Sequence, residues 1–110
     1  MNSIRVGASA LALFLPVSFL RAEENNSNVE WLYRACDSQL GLMQQGYCAG
    51  FLDALTTRLN MTGAICSPEG STLGAAILSF QKWAADNPDQ WQINAQLGVE
   101  AALKSTWPCK

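Results

Sequence analysis

The sequence contains no histidine, and this absence excludes much chemistry at once. Serine- and cysteine-type nucleophiles usually take their general base from histidine, so a catalytic triad cannot be assembled. The four cysteines, Cys36, Cys48, Cys66 and Cys109, form no CxxC pair. A structural zinc site therefore lacks its ligand set, and a redox-active dithiol lacks its usual spacing. Charge is scarce at 15% of residues, and beyond residue 22 the basic ones are scattered as Arg34, Arg58, Lys82, Lys104 and Lys110. Without a basic stripe to follow phosphates, nucleic acid is not an expected partner, and an anionic membrane surface is not one either. The glycine-spaced segment Gly46 to Gly50 (GYCAG) lacks the lysine and the preceding strand of a phosphate-binding loop. No stretch alternates like a strand, and no repeat is visible. Asp53, on a helical segment, reads as a solvated carboxylate. These absences predict no enzyme, no metal and no cofactor.

The longest apolar run lies at the N-terminus. Val6 to Leu20 carries no charge, follows Arg5 and ends at Leu20-Arg21-Ala22 before Glu23-Glu24. At about 15 residues, and interrupted by Pro16, it is shorter than the roughly 20 needed to span a bilayer. It reads as a secretory signal peptide over residues 1–22, with cleavage preferred after Ala22. The remaining 88 residues hold five basic and nine acidic side chains, a formal charge of −4, with no membrane attachment expected. Residues 23–28 are polar and read as a flexible N-terminus, leaving 29–110 as one helical domain.

An even number of cysteines in an exported chain implies a disulfide framework, here two bridges with three possible connectivities. Helical spacing orders the chain around them. Ser27 and Glu30 form a capping box, and Val29, Leu32, Cys36 and Leu40 follow on one face, predicting a first helix over about 28–40. Gly41 to Gly46 reads as a turn. Cys48, Phe51, Leu52, Leu55 and Leu59 then place a second helix over about 46–59. Neighbouring helices joined by so short a turn pack antiparallel, which favours Cys36–Cys48 and, by elimination, Cys66–Cys109. In the chain-entropy view these loops contribute roughly 3 and 4 kcal/mol. Ser71 or Thr72 caps a third helix ending at Asp86. Asn87-Pro88 with Gln90 reads as the start of a fourth, with Gln92, Gln96, Glu100 and Lys104 as its polar stripe. The apolar remainder, Ile93, Ala95, Leu97, Val99, Ala101, Ala102 and Leu103, makes this fourth helix the expected central element. The fold class is all-α, a compact bundle of about four helices stapled by two disulfides.

Gly46, Gly50, Gly74 and Gly98 lie within predicted helices, where glycine costs roughly 1 kcal/mol, so tight packing is expected at Gly50, Gly74 and Gly98. Trp31, Trp83, Trp91 and Trp107 are many for a small core. Trp107, next to a bridged cysteine, is expected inside, and some of the others at a surface.

The order of short motifs is informative. Gly46-Tyr47-Cys48-Ala49-Gly50-Phe51, Cys66-Ser67-Pro68, Asn87-Pro88-Asp89 and Trp107-Pro108-Cys109 follow one another across residues 31–109. In this order the chain resembles the Rap–Tai family of immunity proteins, in which Asn87 stands where histidine is common. The resemblance implies a periplasmic helical fold, commonly a homodimer, that binds a peptidoglycan amidase toxin of a type VI secretion system and blocks its active-site cleft. On that reading the toxin-facing residues are expected at the junction of helices three and four: Trp83, Asp86, Asn87, Asp89 and Trp91. A different function class also suits a small, exported, disulfide-bonded helical chain. An acid-stress holdase would protonate its carboxylates at low pH, become net positive and expose its tryptophans.

Overall fold

A computed structural model describes residues 28–37, 39 and 41–110 of the chain. The signal segment 1–22 and most of the expected flexible stretch, 23–27, lie outside the described residues, as do Ser38 and Leu40 of the expected first helix. The described residues form four α-helices and no strand: α1 (Val29–Ala35), α2 (Leu42–Met61), α3 (Leu73–Asp86) and α4 (Ala95–Thr106), with a 3-10 turn at Pro88–Gln90. The all-α bundle and both expected bridges are present, Cys36–Cys48 and Cys66–Cys109.

Helix α1 is capped by Asn28, whose side-chain oxygen accepts from the Trp31 amide at 2.8 Å. Glu30 pairs with Arg34 at 3.0 Å, one turn on. The helix stops well short of residue 40. Cys36 caps it, and the Asp37 carboxylate accepts from the Gln39 amide at 3.0 Å, a local turn that competes with helix continuation. Helix α2 begins at Leu42 and not at Gly46. Gly41 is the break, with φ +106°, a conformation that glycine adopts without a Cβ clash. Leu42, Met43, Gln44 and Gln45 are good helix formers and carry the helix through Gly46.

Thr72, the second of the two anticipated caps, starts α3 by accepting from the Ala75 amide at 3.1 Å. The largest departure follows. Pro88 opens only the 3-10 turn, and α4 starts at Ala95, capped by Asn94 through the Gln96 amide at 2.8 Å. The intervening carbonyls are taken by another element: the first two amides of α1, Val29 and Glu30, bond the Ile93 and Trp91 carbonyls, each at 3.0 Å. A helix running straight from Pro88 would spend those carbonyls internally and leave the start of α1 unsatisfied.

Helix α4 packs against each of the other three helices and presents Ala95, Gly98, Val99, Ala102 and Leu103 to the core, so the expected central role holds. Leu97 departs from that expectation, standing 59% exposed beside the polar stripe, within which Glu100 pairs with Lys104 at 2.8 Å. Leu32, Leu52, Ile65, Phe80 and Val99 complete a core in which no polar side chain is buried among the described residues. Trp107 packs at its edge, and its carbonyl accepts from the Cys66 amide at 2.9 Å beside the second disulfide. The tail is thus held to the loop after α2 by a covalent bond and a backbone bond.

Of the glycines expected in tight contacts, only Gly98 is in one. A Cβ there would run into Val29 Cγ2 and come within 3.2 Å of the Trp83 ring. At Gly46 and Gly50 a Cβ would meet nothing within 4 Å, and at Gly74 it would meet only the Thr72 hydroxyl at 3.7 Å. The expectation for Gly50 and Gly74 fails because both face outward from the bundle.

Candidate functional site

The junction between α3 and α4 contains a short 3-10 turn with a groove on either side. Helix α3 ends at Asp86, where Asn87 leaves helical geometry and its side-chain amide donates back to the Trp83 carbonyl at 2.8 Å. The Asn87 carbonyl accepts from the Gln90 amide at 2.9 Å and closes the 3-10 turn. The Trp91 indole N–H then bonds the Ala84 carbonyl at 2.7 Å. The Trp83 carbonyl is thereby satisfied by a side chain of the junction, and the Ala84 carbonyl, which also accepts from the Asn87 amide at 3.3 Å, gains a second donor, which fixes the turn against the helix it leaves.

The five sequence-selected residues divide between the two sides of this turn. Trp83, Asp86 and Asn87 line a groove of about 520 Å³ together with Lys82, Ser105 and Thr106. Trp91 lines a second groove of about 290 Å³ with Tyr33, Arg34, Asp37 and Gln81. Asp89 lines neither; it stands exposed on the turn and accepts from the Gln90 side-chain amide at 3.2 Å. The two tryptophans are half-buried. One edge of Trp83 lies against Gly98, and Trp91 packs its ring 5.4 Å from that of Tyr33. Trp31 is also half-buried, its ring edge-on to Tyr47 at 4.6 Å. The tryptophans therefore act as walls, and the charged groups presented outward beside them are the carboxylates of Asp86 and Asp89 and the Lys82 ammonium.

Lys82, Ser105 and Thr106 were not legible as site residues. Lys82 sits one turn before Asp86 on the same helix, a spacing that could have suggested it. Nothing local places Ser105 and Thr106 beside Trp83, since that contact exists only once α4 packs across α3. Asp53 is exposed on α2, among the hydroxyls of Thr56, Thr57, Ser67 and Thr72 and well away from the junction.

The chain is thus a small helical bundle held by two disulfides, with half-buried tryptophans beside exposed acids at one junction. A model of the Rap1a immunity proteins matches residues 28–109, and the chain belongs to that family, whose members protect against a toxin by binding it. No curated protein and no solved structure matched the chain.

Proposed function

We propose that this chain is a periplasmic immunity protein that binds and neutralises a peptidoglycan amidase toxin delivered by a type VI secretion system. It is exported by its N-terminal 22 residues, acts as a homodimer and works by occupying the toxin's active-site cleft without catalysing a reaction. The family match across the whole described bundle carries this reading. Two further features support it. Both disulfides suit an oxidising compartment, where the cross-links persist. The junction turn is short, braced by the Asn87 and Trp91 side chains, and exposes Asp89, while Asp86 stands exposed in the wall of the larger groove beside it. A preorganised turn loses little freedom on entering a cleft, which favours inhibition by insertion.

The test is co-expression in the periplasm with peptidoglycan amidases encoded in the same genome, together with binding measured on the purified pairs. The wild-type chain is expected to prevent lysis. Asp86→Lys with Asp89→Lys is expected to weaken binding by about 100-fold while leaving the melting temperature unchanged, since both side chains are exposed. Absence of binding to any amidase from the same genome would overturn the proposal.

A further inference from the structure

We propose that the outward ridge of α2 is the surface through which two copies of this chain pair, with their α2 helices side by side and parallel. This rests on the homodimer reading above and assigns its interface. Cys48, Leu52 and Leu59 mark the buried side of α2. At about 100° per residue, Met43, Gly46, Gly50, Ala54, Thr57 and Met61 run along the opposite side, and all six are exposed. Met43 and Met61 are 84% and 81% exposed, a large apolar surface to leave in water at both ends of one helix. Between them the residues are small, four apart at Gly46, Gly50 and Ala54. The two glycines weaken the helix without contacting anything in the monomer, whereas a second helix could approach closely over them. A helix that is apolar on its outward side as well as its inward side is normally covered on both.

Charge identifies the occupant as a second copy. The only charged side chains of α2 are Asp53 and Arg58, both exposed and neither ion-paired among the described residues. They flank the ridge on opposite sides, roughly 60° and 80° from its centre line. A two-fold axis parallel to the helices lays the left flank of one copy over the right flank of the other. Each Asp53 then faces the Arg58 of the other copy, offset by about 7.5 Å along the axis, within reach of an extended arginine. An antiparallel pairing would bring the two Asp53 carboxylates to the same side near the crossing, so the parallel arrangement is selected. The ridge itself is uncharged, which lets a chain of net negative charge meet itself without repulsion at the contact. Such a contact is isologous and closes at two subunits.

Sedimentation equilibrium on the exported, disulfide-intact chain tests this over a range of protein concentrations. The wild type is expected to dimerise. Gly50→Leu, which has open space in the monomer, should raise the dissociation constant by about 100-fold, with no loss of melting temperature at concentrations where both chains are monomeric. Asp53→Arg alone should weaken the dimer by about 10-fold, and adding Arg58→Asp should restore it. A dimer unaffected by both Gly50→Leu and Asp53→Arg would overturn this face and leave the homodimer reading standing. A chain that remains monomeric at every concentration would overturn both.

Discussion

Gly98 and Gly74 are both helical glycines, and adding one methyl group to each should have opposite effects. At Gly98 the new Cβ runs into Val29 and crowds Trp83, two side chains fixed by the core and by the junction. Gly98→Ala should destabilise the protein by about 1–3 kcal/mol, read as a lower urea midpoint with an unchanged slope. Gly74→Ala meets only an ordinary contact and should gain up to about 1 kcal/mol from helix propensity. The sequence shows both as glycines inside helical patterns. It does not show which one another helix crosses, because that depends on how α4 is rotated against α1 and α3. Residue-scale caps were more legible: Thr72 was one of two candidates, and its side chain bonds the third residue of α3 as local chemistry predicts.

At the scale of elements, the first two amides of α1 should behave unlike a frayed helix start. Val29 and Glu30 donate to the Ile93 and Trp91 carbonyls, so their hydrogen exchange should be slowed with the α3–α4 junction. Exchange as fast as in an unprotected helix N-terminus would show that this docking does not persist in solution. Trp91→Phe keeps the ring but removes the 2.7 Å bond to the Ala84 carbonyl. It should cost about 1 kcal/mol and speed exchange at Val29 and Glu30 as well. These couplings explain why the extent of the last helix was misread from sequence. Asn87-Pro88-Asp89-Gln90 has the local chemistry of a helix start, and it does begin a turn. The helix fails to continue because Trp91 and Ile93 are committed to a segment some 60 residues earlier in the chain. The first helix was overextended for a different reason, since Asp37 and Gln39 form a turn that apolar periodicity does not reveal.

For the molecule as a whole, the disulfides are the dominant staples of a small domain. Replacing Cys66 and Cys109 together by serine should lower stability by about 4 kcal/mol, and replacing Cys36 and Cys48 by about 3 kcal/mol. Cys36 and Cys48 are buried, so their loss adds a packing penalty and should narrow the gap between the two variants. Urea unfolding of both variants checks the order. The junction, by contrast, relies on hydrogen bonds and aromatic packing, and its exposed acids can change without disturbing the core.

Composition, cysteine count and helical spacing by themselves determined an all-α chain with two bridges and the third helix almost to the residue, and they favoured, among three connectivities, the pairing that forms. These follow from local periodicity and from loop lengths short enough to force neighbouring helices together. The tertiary structure alone decided where α4 begins, which glycine is a close contact, and that Trp83 and Trp91 form walls of different grooves on either side of one turn. Each of these depends on groups far apart in sequence satisfying one another, and no local pattern carries that information.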